Sequence, residues 1–536
     1  MRKSNGKIKA IITGALIALT VVSLTACGSS SSSDTTYKTR KEVQLPMYSV
    51  KTLNPAISTD EDTYHITRLI YSGLYTLDEN LTPQTDLARR SVVNKSSKSI
   101  TVKMNSAKFQ DGHDVTATDV KFSVEAYQQQ GEKCRYYYLV EPITSVKVVS
   151  DDTVRFYFDK KSQMQFARLT FPILPSNEYD SVDDLLSTKD FKPVGSGQYE
   201  YKSYDASNTL KLTPYSEYYG EKAVSDVTFN VMPDRDSDTA INLLESNTIS
   251  YMVSKSDTRD SDIQKSSVKI IDFPSNQMEM IGFNCKKKHV TRKKNIRKGV
   301  AYAVDTSQII TDCYSNCAQK NDNLYFPGYL GVSSRKDAFP YNLNKAVRCF
   351  EDAGYADDDN DGTLTDVNGN QLELTILVNK DTSRTEAVSI IQKSLESVGV
   401  SVTVESKSQK EYISALKKGN FDLYYGGYSI DEVCDMSPLL SSDGDYNYGG
   451  YTNDELDTYL DQLGAGLEGQ EAVSKYKQIK GVLSDKVPCY CVCYLTYGAI
   501  RAPALRGDVN PVFNNFYNGV GGWTCRYESG SSNSSN

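Results

Sequence analysis

The side chains with chemistry to offer gather in residues 421–438, which read FDLYYGGYSIDEVCDMSP. Phe421, Leu423 and Tyr425 alternate with Asp422 and Tyr424, the period of a strand. Gly426 and Gly427 come next, and a residue without a Cβ lets another backbone approach closely. Tyr428 follows, then carboxylates at Asp431, Glu432 and Asp435, with Pro438 ending the local pattern. Bare backbone followed by acids, at the end of a strand, is how a sheet holds a polar ligand. An acidic surface loop after an ordinary strand would carry the same residues, and the stretch alone does not separate the two.

Other groupings offer less. Residues 357–362 read DDDNDG, the first half of a calcium loop, with oxygens at positions one, three and five and glycine at six. Position twelve is Asn368, which has no bidentate carboxylate, so an acidic turn is the expectation and no metal site is assigned. Cys489, Cys491 and Cys493 alternate and would share one face of a strand. Three thiols on one face suit a soft metal, but their apolar neighbours point to buried small side chains. Cys313 and Cys317 are helix-spaced, without the second pair a zinc site needs. The three histidines, His65, His113 and His289, are scattered and expected to be solvated. There is no Gly-x-Ser-x-Gly, His-Glu-x-x-His or phosphate loop, so no catalytic residue is assigned and no cofactor is expected.

The elements that must hold residues 421–438 lie just before them. Leu372, Leu374, Ile376 and Val378 alternate as a strand. Ala387, Ile390, Ile391, Leu395 and Val398 make a helical stripe stopped by Gly399. Val400, Val402 and Val404 form a second strand, and a helix over 409–418, stopped by Gly419, leads into the third. Strand-helix-strand-helix-strand implies a parallel sheet with right-handed crossovers, whose ligands bind beyond the carboxyl ends of the strands. Residues 426–435 would sit there. Earlier in the chain, residues 43–45 and 99–104 read as strands. Ile66, Leu69, Ile70 and Leu74 form a helical face within 60–78, and Thr116 to Asp119 is close to a capping box.

At 536 residues the chain exceeds one compact core, so two or three domains are expected. A net charge of -8, a pI near 5.3 and no basic stripe argue against a nucleic-acid partner. Tyr is abundant at 38 residues, and its flat face and polar tip suit wet pockets. Arg2, Lys3, Lys7 and Lys9 precede a short apolar run over 10–22, then Leu24-Thr25-Ala26-Cys27 and a run of serines. This resembles the bacterial lipobox. It implies cleavage before Cys27, lipidation of its thiol and a membrane tether outside the cell, with residues 28–40 as a flexible stalk. Residues 529–536 read as a similar tail, and ten further cysteines leave any disulfide pairing open.

Several ordered blocks carry a second resemblance. They are residues 53–88, 108–127 (KFQDGHDVTATDVKFSVEAY), the PVGSGQYEY segment at 193–201, the IGFNC segment and following helix at 281–310, and YNLNKAVRCFEDAGY at 341–355. Together they resemble the extracellular solute-binding proteins of family 5, the oligopeptide- and dipeptide-binding proteins of ABC importers. Ser196 and Gln198 replace the family's usual Thr and Pro. The resemblance implies an α/β, two-lobed periplasmic-binding-protein-like fold with an extra inserted domain and a ligand cleft between lobes. One lobe would hold 41–75, 191–284 and 500–536, with 76–190 inserted into it, and the other 285–499. Its Trp-x-x-Asp segment aligns with Tyr428-Ser429-Ile430-Asp431. That implies Asp431 as the partner of a peptide amino group, and backbone at Gly426, Gly427 and Tyr428 to pair with the peptide. The family's Asp-Pro step is interrupted at Asp435-Met436-Ser437-Pro438, which leaves Asp435 as the second choice. The implied protein is a monomeric, lipid-anchored receptor on the outer face of the cytoplasmic membrane, delivering peptides to the transmembrane subunits of an ABC permease. Oligosaccharide, nickel-chelate or haem binding on the same fold, a surface hydrolase, and an adhesin or signalling receptor are the alternatives.

Overall fold

The computed structural model describes residues 37–48, 50–159, 164–205, 209–232, 237–255, 267–332 and 337–528. Cys27, the leader, most of the expected stalk and the tail from residue 529 lie outside these residues. Where the stalk was expected to be flexible to residue 40, Tyr37–Arg40 instead forms an exposed strand, β1. Among the described residues, no helix is long and apolar enough to cross a membrane.

β2 is Glu42–Met47. The helix Glu61–Ile70 follows, opened by the Asp60 carboxylate, which accepts from Thr63 N at 2.7 Å. Its apolar face was expected to run on to Leu74, but the helix stops at Ile70. The Ile70 carbonyl accepts from Gly197 N at 2.8 Å and from Gln110 Nε2 at 3.2 Å. A Cβ at Gly195 would collide with that same carbonyl, so the glycines of the PVGSG segment seat it on the helix end. The hairpin β3 (Tyr75–Leu77) and β4 (Pro83–Thr85) comes next. β5 (Ala88–Asn94), β6 (Ser99–Met104), β7 (Ile143–Ser150) and β8 (Thr153–Phe158) form an antiparallel sheet in the order β5-β6-β8-β7. Against it lies the helix Ala117–Gln130. Its expected capping box is present, with Thr116 N donating to Asp119 Oδ2 at 2.7 Å. β9 (Tyr199–Tyr204), β10 (Thr209–Pro214) and β11 (Asp226–Val231) join β2 in the order β2-β11-β10-β9.

Seven further strands build one sheet. They are β12 (Tyr251–Ser254), β13 (Lys269–Phe283), β14 (Ala318–Gln319), β15 (Glu373–Asn379), β16 (Ser401–Lys407), β17 (Leu423–Ser429) and β18 (Cys489–Arg501). Their order is β12-β18-β13-β17-β15-β16, with β14 on β18. β15, β16 and β17 are parallel, joined through the helices Thr382–Glu396 and Gln409–Lys418, as the strand-helix repeat predicts. On its other side β17 runs antiparallel to β13, so the sheet as a whole is mixed. Leu423 and Tyr425 pack with Leu374, Ile376, Ile391 and Leu395 in one core, while Tyr424, on the opposite face, packs with Met278 and Met280 in another.

Three sequence expectations are corrected here. Cys491 and Cys493 do not share a face. Glu279 stands opposite Cys493 and Met280 opposite Cys491, so Val492 is an extra residue, a β-bulge. The bulge turns Val492 and Cys493 into one core and leaves Cys491 in the other. His65 is buried rather than solvated, and His289 is half-buried, its Nδ1 2.8 Å from Asp422 Oδ1; only His113 is exposed. Cations do cluster locally: Lys286, Lys287, Lys288, Arg292, Lys293 and Lys294 are exposed along one segment. Lys294 and Lys298 both reach Asp485. The loop at 357–361 is an acidic turn, with Asp357 Oδ2 accepting from Gly362 N at 3.1 Å and Asp361 Oδ1 from Thr363 N at 2.8 Å.

Candidate functional site

β17 carries the site because its two edges are used unequally. On one side it pairs with β13 along its whole length, from Leu423 opposite Phe283 to Ser429 opposite Gln277. On the other side β15 pairs only with Leu423, Tyr424 and Tyr425. From Gly426 onward that second edge has no strand neighbour among the described residues. Half of the backbone expected to be open at Gly426, Gly427 and Tyr428 is therefore already taken by Met280, Glu279 and Met278. The two glycines also answer to their own chain. A Cβ at Gly426 would collide with the Tyr412 hydroxyl, which donates to Tyr425 O at 2.9 Å. A Cβ at Gly427 would strike the Arg384 guanidinium. Arg384 grips the buried Glu279 with Nε to Oε2 at 2.9 Å and Nη2 to Oε1 at 2.8 Å, a planar two-point contact. Gly427 and Ser429 remain exposed and Tyr428 half-buried. Beside Gly427 lies a cavity of about 530 Å³, walled by Glu279, Arg384, Gln277, Lys255, Thr496 and Tyr497.

Beyond β17 the chain is pinned by Asn276, whose carbonyl accepts from Ile430 N at 2.9 Å and whose Nδ2 donates to Ile430 O at 3.2 Å. The next two residues diverge. Asp431 is exposed, and its Oδ1 accepts from Cys434 N at 2.9 Å in a turn that holds Cys434 at φ 54°. Protein surrounds it closely enough that lost hydration pushes its carboxyl upward; the positive charge of Arg168 opposes this and the negative charge of Asp435 adds to it. Water still reaches the group, which limits the desolvation. Asp431 is thus an accessible acid. Glu432 is buried, with Oε2 2.8 Å from Arg68 Nη2 of the helix Glu61–Ile70. Burial pushes the Glu432 carboxyl up to about 8, while the Asn514 side chain pulls it down. Asp435 is half-buried and its Oδ1 accepts from Ser437 N at 2.9 Å. Pro438 does not end the pattern; it stands in the first turn of a short helix, Ser437–Leu440.

The fold therefore brings Tyr428, Asp431 and Asp435 together and surrounds them with residues that sequence reasoning missed. Arg68, Tyr138, Arg168 and Tyr329 all act on this loop, and Arg68 and Glu432 are 364 positions apart. No local pattern marks such residues, because their roles exist only across the tertiary contact. Asp431 and Asp435 bring two carboxylates to the loop, and Arg168 is the cation whose charge acts on Asp431. The site can attract a cationic group and offer it an accessible carboxylate beside unpaired strand edge.

Residues 82–450 match the family described as bacterial extracellular solute-binding proteins, family 5, middle. The oligopeptide-binding protein AppA of Bacillus subtilis is 25% identical over 409 residues, 73% of each chain. Its structure with a nonapeptide superposes with a TM-score of 0.55 at 22% identity, covering 91% of this chain and 99% of that one. The unliganded open form of MppA, a periplasmic murein tripeptide-binding protein, gives a TM-score of 0.77 at 17% identity, covering 93% and 99%. NikZ of Campylobacter jejuni with Ni(L-His) gives 0.58 at 20% identity, covering 90% and 99%. These neighbours share a two-lobed α/β architecture. The chain belongs to the family 5 extracellular solute-binding proteins, the substrate-binding components of ABC importers.

Proposed function

We propose that this protein captures peptides by their free amino group between two lobes and passes them, chemically unchanged, to an ABC permease. The observation that carries the reading is Asp431: an accessible carboxylate, acted on by the charge of Asp435, at the end of a strand whose second edge has no strand neighbour among the described residues from Gly426 onward. A protonated amine matches Asp431, and an extended peptide backbone matches the strand edge, largely independently of its side chains. The cavity of about 530 Å³ beside Gly427 gives the rest of the ligand room, within the ~300–1,000 Å³ usual for such sites. Asp435 is committed to Ser437 N and acts through its charge rather than as the first contact. On this reading Arg68 and Glu432 join the lobe that contains 41–75 to the lobe at 285–499. The peptide-binding relatives support the ligand class. The lipobox resemblance supports a tether at Cys27 to the outer face of the cytoplasmic membrane.

The test is calorimetry with tri- to pentapeptides, free or acetylated at the N-terminus, on wild type and Asp431→Asn. Free peptides should bind wild type and lose roughly 30-fold or more in the variant, the effect of unpairing an enclosed ammonium. Acetylated peptides should bind weakly to both proteins. Equal affinity for the free and acetylated forms sinks the amine anchor. No peptide binding at all, with a sugar, nickel chelate or haem binding instead, sinks the peptide reading.

A further inference from the structure

Residues 286–298 hold eight lysines and arginines and no acid, in a chain whose net charge is -8. They follow the end of β13 as a loop, a 3-10 turn at Val290–Arg292 and the start of the helix Lys294–Ala303. Four of these cations are engaged within the protein. Arg297 is buried and donates to Val487 O at 2.8 Å, Lys293 Nζ donates to Ala353 O at 2.8 Å, and Lys294 and Lys298 reach Asp485. Lys286, Lys287, Lys288 and Arg292 are exposed and have no acidic partner among the described residues. The exposed Lys417 and Lys418 adjoin them. Asn284 Nδ2 donates to Gly419 O at 3.1 Å, and a Cβ on Gly419 would stand 3.2 Å from Lys286 Nζ.

This arrangement works against local stability. Like charges are crowded together, and they sit at the start of a helix, where the macrodipole disfavours cations. The helix Lys294–Ala303 has Lys293 at its N-cap, no side-chain cap and no acid in its first turn. A local rule broken without a compensating contact marks a functional surface. The surface offers charge alone, since none of the large apolar side chains that stand exposed lies in 284–298 or 417–420. A protein partner is gripped through aromatic and apolar anchors, whereas a sheet of repeated anionic headgroups needs only clustered Lys and Arg. The patch is also remote from the candidate site. Phe283 stands opposite Leu423, the first residue of β17, while Asp431 follows its last, so about 20 Å of strand separates the two.

We propose that this face docks the protein on anionic phospholipid headgroups of the membrane to which it is tethered, leaving the ligand loop at the far end of β17 free. The inference rests on the reading of Cys27 as a lipid anchor. Tyr37 follows Cys27 by ten positions, a span of at most ~36 Å. A tether that short holds the patch near headgroups at an effective concentration in the millimolar range, so weak electrostatic contact suffices.

The test uses the unacylated chain from Gly28, which keeps every described residue, in sedimentation with vesicles. Vesicles of phosphatidylcholine with about 30% phosphatidylglycerol should bind it at low salt, and pure phosphatidylcholine should not. Binding should fall steeply between about 25 and 500 mM salt. The triple variant Lys287→Glu, Lys288→Glu, Arg292→Glu should lose roughly 100-fold in partitioning, since each cation near such a surface is worth about 5-fold. Lys202→Glu, Lys211→Glu, Lys222→Glu changes the net charge equally on exposed lysines elsewhere and should retain most of the binding. Equal losses in the two triple variants overturn the inference, because net charge alone would then explain them. Equal binding to both vesicle types overturns it as well. Absence of vesicle binding, with peptide uptake by cells lost in the first variant alone, overturns it in favour of an acidic protein face. Should the first variant fail to fold, Lys287→Gln with Lys288→Gln takes its place, with roughly a 25-fold loss expected. The anchor reading is judged separately, by the mass of the Cys27 peptide from membranes, and the peptide reading by calorimetry.

Discussion

Asp431 and Glu432 are neighbours in the chain with opposite environments. Glu432 is enclosed against Arg68, so removing one partner leaves a buried, unpaired charge. Glu432→Ala should cost about 3–5 kcal/mol in urea unfolding, whereas replacing both partners (Arg68→Met with Glu432→Leu) should restore most of it. A loss below ~1 kcal/mol for the single change would show the pair to be structurally idle. His65 carries the clearest pH dependence. Its ring stacks on Phe516 with centroids 3.7 Å apart, and Nδ1 accepts from Phe516 N at 3.3 Å. Burial lowers its pKa well below the usual 6.5, helped by the charges of Arg135, Arg68 and Lys255. As pH falls below 6.5, the unfolded chain takes up a proton there that the folded chain refuses. Stability should therefore drop with acidification, by up to about 1.4 kcal/mol per pH unit from this residue. Urea midpoints at pH 8 and pH 5 should converge more closely in His65→Gln than in wild type, and identical pH slopes would refute the assignment.

At the scale of the element, β17 shows why a glycine pair reads ambiguously. Room for a ligand and room for a neighbouring side chain leave the same residue type. Gly427 faces the Arg384–Glu279 contact, so Gly427→Ala should destabilise by about 1–3 kcal/mol through overpacking. The same change in an Arg384→Ala background should cost clearly less in thermal unfolding, and an equal cost in both backgrounds would remove Arg384 as the reason. The strands and helices around β17 were legible because apolar periodicity repeats within each one. The bulge at Val492 was not, since nothing in the alternation of Cys489, Cys491 and Cys493 shows where β13 slips its register.

For the whole molecule, the proposed function requires the seven-stranded sheet, the segments carrying Tyr138 and Arg168, and the helix Glu61–Ile70 to meet around one loop. Ligand that binds only this assembled state stabilises it by mass action. A tripeptide at 100 times its Kd should add about 2.7 kcal/mol to unfolding stability for wild type, and far less for Asp431→Asn. An equal gain in both proteins would place the ligand elsewhere.

The sequence by itself determined what is local or ordered along the chain. This includes the three parallel strands with their crossovers, the capping box at Thr116, the family blocks, and Asp431 at the end of β17. Each depends on residues a few positions apart, where side-chain spacing and backbone propensity suffice. Only the tertiary structure decided that β13 occupies one edge of Gly426 to Tyr428, that Arg68 meets Glu432, and that His65 is buried. Those features join groups up to 364 positions apart. They arise from packing and shared desolvation, which no window of sequence contains.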